Sequence, residues 1–285
     1  MKYTRFTGWR RSRMLYLVAT PIGNLGDISK RALDALESCD VIACEDTRRT
    51  IKLLNAYNIK KKMIAFHMHN EAEMGARILE MAGEGMTICL VSDAGSPGIS
   101  DPGESLVKLF YENNMKVSII PGPNAALSGL VLSGLSTTRF VFEGFLPSTM
   151  KKRKDRLVEL AFENRTMVFY EAPHRLNKCL GDMIEIFGAD RKAAVVREIT
   201  KVFEETLRGT LAELNLRFLE NQPKGEFVIV VEGRNSEKTV RPAKSVEETY
   251  ENLLAAGNDR KEAMRIIAKE YNISRREVYS RVNKD

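Results

Sequence analysis

The chain has 285 residues, 44% of them hydrophobic, and its 44 lysines and arginines against 38 aspartates and glutamates give a formal net charge of +6. This points to a folded, soluble protein with an acidic partner and room for two domains and a small third. No apolar run approaches the roughly 18 residues of a membrane helix, and the basic start MKYTRFTGWRRSR leads only into MLYLVATPIG, without a small-residue cleavage site, so a cytoplasmic location is expected.

Past a basic arm at 1–13, short β-rich runs alternate with amphipathic helical patterns. Strands are expected at 15–19, 40–44, 63–66, 87–91 and 117–120. Between them SKRALDALESC, TRRTIKLLNAYN and NEAEMGARILEMAG repeat apolar residues three and four apart. That order predicts an α/β domain over 14–123 with a mainly parallel sheet. A second series begins after PGPNAALSGLVLSG, with strands expected at 140–142, 166–170, 193–196, 205–208 and 227–231 and helices interleaved. It predicts a second α/β domain over 124–233. Cys39, Cys44, Cys89 and Cys179 lie inside apolar runs at spacings that fit neither a zinc site nor a redox pair, which favours buried free thiols.

Residues 234–245 read as a polar linker, and 246–285 as a helical module. Asp259 with Glu262, and Ser274 with Glu277, have the offset of capping boxes, so RKEAMRIIAKEYNISRREVYSRV reads as helix, turn and second helix. The second helix suits nucleic acid in a basic chain; a helical lid on the main body fits the same pattern. The basic runs at the N-terminus, at 151–156 and near the C-terminus are solvated faces if taken singly. Together they favour a polyanion.

The loops after the strands are richer in Gly, Pro and charge than connections require: TPIGNLGDIS, EDTRRT, DAGSPGISDPG and PGPNAA in the first series, YEAPHR, REITKVFEE and KGEF in the second. Catalytic groups of open α/β sheets gather at the carboxyl ends of strands, so these loops point to a cleft between the two sheets. Neither a P-loop ending nor G-x-G-x-x-G is present, AGSPG is not a nucleophile elbow, and His67, His69 and His174 form no zinc constellation.

In order, LVATPIGNLGDIS, CEDTRRT, VSDAGSPGISDPG, PGPNAALSGLVLSGL, FEGFLP, YEAPHR, REITKVFEE and KGEFVIVVEG resemble the ribosomal small subunit methyltransferase I family, a branch of the tetrapyrrole methylase superfamily. The resemblance runs from about residue 14 to 233 and extends to the C-terminal helical piece. It implies two consecutive α/β domains of the tetrapyrrole methylase type with S-adenosylmethionine in the cleft between them. The implied reaction is methylation of the ribose 2'-oxygen of a cytidine in the decoding region of 16S rRNA, on the small ribosomal subunit, by a homodimer.

By the same resemblance Pro21 lines the cofactor, Gly95, Ser96, Pro97, Gly98 and Ile99 form one wall, and Ala125 and Ala126 leave room beside the adenosyl group. Tyr170 and Glu171 face it from the second domain, and Gly225, Glu226 and Phe227 close the far side. Glycines at 95 and 98 let backbone approach a ligand with no Cβ in the way; an ordinary turn is the plainer account of each alone.

Methyl transfer has a good leaving group and asks chiefly for positioning, yet a ribose hydroxyl gains from a base or acceptor. Glu45, Asp46, Asp93 and His174 are the candidates, with Asp46 alternatively capping a helix that starts near Thr47. Arg48, Arg49 and Arg175 suit flanking phosphates; Lys151, Lys152 and Arg153, with Arg275 and Arg276, suit the rest of the RNA backbone. Lys201 with Glu204 or Glu205 is a candidate for part of a lysine and acid tetrad. Rival functions are a methyltransferase for a tetrapyrrole-like acid and a non-enzymatic RNA-binding protein.

Overall fold

The computed structural model describes residues 14–220, 223–234, 245–271 and 273–283; the basic arm at 1–13 and most of the linker lie outside them. The first half runs β1 (Met14–Val18), α1 (Lys30–Ser38), β2 (Val41–Cys44), α2 (Thr47–Ala56), β3 (Lys62–Ala65), α3 (Glu71–Gly83), β4 (Thr87–Val91), α4 (Glu104–Glu112) and β5 (Lys116–Ile120). Its strands form one sheet in the order β3-β2-β4-β1-β5, with every pairing parallel.

A parallel sheet covered on both faces needs apolar side chains on both, and β2 and β4, written VIAC and TICLV, are buried at every position. Alternate residues feed opposite cores. Tyr16, Val18, Ile42 and Cys44 meet Leu36 and Leu54 on one face; Leu15, Leu17, Val41 and Ala43 meet Ile78 and Phe110 on the other. All four cysteines are free and buried.

The second half follows as α5 (Ala125–Ser133), β6 (Phe140–Phe145), α6 (Met150–Leu160), β7 (Thr166–Glu171), α7 (Leu176–Phe187), β8 (Lys192–Arg197), β9 (Glu205–Thr210), α8 (Leu211–Glu220) and β10 (Phe227–Val231). The order is β6-β7-β10-β8-β9. Only β6 and β7 are parallel; β10 inserts antiparallel between β7 and β8, and β9 closes antiparallel on β8. The segment REITKVFEE, singled out as a loop, joins β8 to β9 through 198–204 without a helix, because antiparallel neighbours need no crossover.

Helices α6, α7 and α8 cover one face of this sheet, while α5 covers the other with Ile22 of the first half packed beside it. Gly129 allows that close approach: a Cβ built there would stand 2.7 Å from Val228 Cγ1. The polypeptide after residue 245 forms three helices, α9 (Val246–Ala255), α10 (Arg260–Glu270) and α11 (Arg275–Val282), around Tyr250, Ala263, Ile267 and Val278. The anticipated pair is thus the latter part of a three-helix cluster. Asp259 and Ser274 cap α10 and α11 by accepting from the amides of Glu262 and Glu277 at 2.8 and 3.1 Å. The glutamates turn instead to Arg265 and Arg281, so only one half of each box forms.

Candidate functional site

The loop after β4 folds back on itself and is stitched to the end of β1. The Thr20 amide donates to the Gly95 carbonyl at 2.9 Å, and the Gly95 amide donates to the Thr20 carbonyl at 3.1 Å. Both backbone groups of Gly95 are therefore hydrogen-bonded within the protein, and they close the loop against the end of β1. Gly95 is still required, since its φ of +82° is unfavourable to a side chain. Gly98 faces the backbone of Gly103 and Glu104, closing the turn.

A cavity of about 380 Å³ opens where this loop meets the second sheet, within the size range of small-molecule sites. Glu45, Asp93, Asp101, Glu171 and Glu226 line it against a single guanidinium, that of Arg49, with Ile22, Ile99, Phe145, Tyr170, Ile199, Phe227 and Val228 as apolar walls. Tyr170 ties β7 to α5 and β6 within the second half: its hydroxyl accepts the Ala126 amide at 3.1 Å, and its ring packs edge-on to Phe142 at 5.0 Å.

The acids differ in environment. Asp93 accepts the Asp46 amide on Oδ1 at 3.1 Å and stands 3.4 Å through Oδ2 from Arg49 Nε. Burial and the Asp93 charge push the Glu45 carboxyl up. Asp101 is pushed up to about 7, first by burial and then by the charges of Glu45 and Asp93. Glu171 is buried with its Oε1 accepting the Ala172 amide at 2.8 Å, while Oε2 has no hydrogen-bond partner. Five acids around a half-apolar cavity fit a ligand that carries positive charge beside a large apolar ring.

Of the residues anticipated around a cofactor, Gly95, Ser96, Ile99, Ala125, Tyr170, Glu171, Glu226 and Phe227 line this cavity. Pro21 opens on a neighbouring one, Pro97 and Ala126 are buried beside lining residues, and Gly225 sits behind Glu226 with Glu198 where a Cβ would be, 2.5 Å away. Among the anticipated acids and bases, Asp93 and Glu45 line the cavity. Asp46 does not: its carboxylate caps α2 through the Arg48 amide at 2.8 Å and pairs with the Arg48 guanidinium, which holds it down to about 2. His174 is exposed on a short 3-10 turn and lies outside the cavity.

Two anticipated phosphate ligands turn inward. Arg153 is 5% exposed and pairs with Asp182 at 2.6 Å, because the helical period of α6 puts 153 on the face of Leu157 and Leu160. Arg175 donates to the Leu146 carbonyl at 2.6 Å and lies 3.3 Å from Glu171. Arg48, Arg49, Lys151, Lys152, Arg275 and Arg276 are exposed. Lys201 pairs with Glu198 and Glu226 at 2.9 and 3.1 Å, rather than with Glu204 or Glu205.

Asp101 and Asn124 were missed among the sequence candidates, although both lie in the loops singled out there. Asp101 belongs to the same SDPG turn as three helix-starting and turn-forming neighbours, and only its burial near Glu45 and Asp93 distinguishes it. Asn124 caps α5 by accepting the Leu127 amide at 3.0 Å while its residue also borders the cavity.

Residues 14–215 match the family model described as Tetrapyrrole (Corrin/Porphyrin) Methylases. A Synechocystis sp. protein named ribosomal RNA small subunit methyltransferase I is 46% identical over 93% of this chain and 96% of its own. One of the same name from Bacillus subtilis is 44% identical over 96% and 95%. Among solved structures, uroporphyrin-III C-methyltransferase from Thermus thermophilus, complexed with S-adenyl homocysteine, aligns with a TM-score of 0.55 at 17% identity over 77% of this chain and 97% of that one, a likeness of fold.

Proposed function

The chain belongs to the tetrapyrrole methylase family and, within it, to the ribosomal RNA small subunit methyltransferase I proteins, and from that premise we propose that it methylates the ribose 2'-oxygen of a cytidine in the decoding region of 16S rRNA. It is an S-adenosylmethionine-dependent rRNA methyltransferase. The observation that carries this reading is identity shared along nearly the whole chain with proteins of that name. The fold alone does not choose the acceptor, since corrin and porphyrin enzymes share it.

The cofactor supplies a methyl carbon on a sulfonium, an electrophile with a neutral leaving group. Glu45, Asp93, Asp101, Glu171 and Glu226 surround the cavity with negative charge that favours such a cation. Tyr170, Phe227 and Val228 keep water from its apolar part. Asp93, held by Arg49 and by the start of α2, is a fixed acceptor for the attacking hydroxyl. Asp93 takes the proton as the 2'-oxygen bonds to the methyl carbon, and Asp101, poised near neutrality, receives it in turn.

Exposed Arg48, Arg49, Lys151, Lys152, Arg275 and Arg276 supply phosphate contacts for the RNA backbone. The enzyme works in the cytoplasm as a homodimer, for which Leu127 and Val131 of α5, 50% and 70% exposed, offer apolar surface.

The test is transfer of labelled methyl to purified small subunits lacking their own modification, followed by mapping of the label. Label on the 2'-oxygen of one decoding-region cytidine supports the proposal. Label on a base, or tight cofactor binding with no transfer to subunits, overturns it and turns attention to small acidic acceptors.

A further inference from the structure

Asp93 borders two cavities rather than one. The second, of about 250 Å³, lies under the loop after β1 and against α2, with Pro21, Leu25, Leu53 and Lys52 among its walls. We propose that this second cavity is the acceptor-side subsite, seating a ribose-phosphate of the substrate RNA with the Lys52 ammonium on the phosphate and the Asp93 carboxylate at the wall shared with the methyl donor. The inference rests on the rRNA reading above and deepens it.

Group transfer requires donor and acceptor sites that share a wall, because the reacting atoms must come within about 3–3.5 Å of each other. Asp93 is the one residue lining both cavities. Their charges differ. The first is ringed by five carboxylates against Arg49, whereas the second sets one cationic residue, Lys52, against one acid, Asp93, and among the described residues no carboxylate lies within ion-pair distance of Lys52. Arg48 stands one helical turn before Lys52 on α2, with its guanidinium held by Asp46. Pro21, Leu25 and Leu53 give the carbon face of a sugar an apolar bed.

The cavity is also held in shape before any ligand arrives. The Asn24 side chain accepts the Gly26 amide at 3.0 Å, and the Tyr57 hydroxyl donates to the Leu25 carbonyl. Lys201 packs over Gly23, where a Cβ would stand 2.5 Å from its Cγ. Each tie removes conformational freedom that binding would otherwise have to quench.

Lys52→Ala and Lys52→Arg decide the matter, with Lys108→Ala, on the distant α4, as a control for net charge. Measured on unmodified small subunits, Lys52→Ala raises KM roughly tenfold and lowers the slope of log affinity against log salt by about 0.7–0.9, one phosphate contact. S-adenosylmethionine affinity, read by calorimetry, stays within about twofold, and Lys52→Arg restores most of the subunit affinity. An unchanged salt slope, an equal loss in Lys108→Ala, or a fall in S-adenosylmethionine affinity overturns the assignment; the last would give Lys52 to the cofactor. Failure of the unsubstituted enzyme to methylate subunits overturns the rRNA reading itself, and this inference with it.

Discussion

Asp93 stands in the loop after β4 and Arg49 in the first turn of α2, yet the Asp93 carboxylate lies 3.4 Å from the Arg49 guanidinium while also accepting the amide at the start of α2. One carboxylate thereby fixes the second-strand loop to the fourth-strand loop at the mouth of the cavity. Asp46, its neighbour across that hydrogen bond, has a local duty as the cap of α2. Asparagine caps a helix about as well as aspartate, so Asp46→Asn should keep activity within about threefold. Asp93→Asn loses the anion and should lower kcat by about a hundredfold with unchanged circular dichroism. Steady-state kinetics of the two variants on small subunits separates the roles; equal losses would return Asp46 to the reaction.

Asp101 gives the site a pH dependence of defined sign. Its carboxyl is pushed up to about 7, so it is mostly neutral below that pH and anionic above it. A cationic cofactor should therefore bind more tightly as pH rises from about 6 to about 8, by roughly fivefold for a partly screened charge. Stability of the free protein runs the other way. The folded state holds a proton that the unfolded chain has already released between about 4 and about 7, and stability falls as pH rises through that window. Calorimetry and urea unfolding at several pH values should show both trends, and Asp101→Asn should flatten them together.

Gly129 tests the seam between α5 and the second sheet. Alanine normally gains about 1 kcal/mol over glycine inside a helix. Here its Cβ would meet Val228 at 2.7 and 2.9 Å, on a strand fixed between β7 and β8, and overpacking of this kind costs about 1–3 kcal/mol. Gly129→Ala should therefore lose stability on balance in a denaturant titration and, because Val228 lines the cavity, weaken S-adenosylmethionine binding.

The run KKRKDR divides by helical face. Arg153→Ala leaves Asp182 buried without its closest partner and should cost about 3 kcal/mol, measured by urea unfolding. Lys151→Ala with Lys152→Ala should leave stability unchanged while weakening subunit binding at low salt. Loss of RNA affinity in a still-folded Arg153→Ala would return that side chain to the interface.

What the sequence by itself determined is local or periodic. The apolar run of β4 is buried throughout where the pattern placed it, and Asp259 and Ser274 cap α10 and α11 at the predicted offsets. These features depend on residues a few positions apart, whose hydrogen bonds and side-chain directions follow from backbone geometry alone. The ordered loop motifs likewise pointed to a cleft between two sheets, and eight of the anticipated cofactor residues line it. Only the tertiary structure decided which charges meet. The strand order β3-β2-β4-β1-β5 sets the loop after β2 beside the loop after β4, which brings Glu45, Asp93 and Asp101 together and lifts Asp101 towards neutrality. The antiparallel insertion of β10 between β7 and β8 sets Glu226 beside the loop 198–204, where Lys201 finds it and Glu198. Charge interactions act through space across tens of residues of chain, and a linear pattern carries no record of those distances.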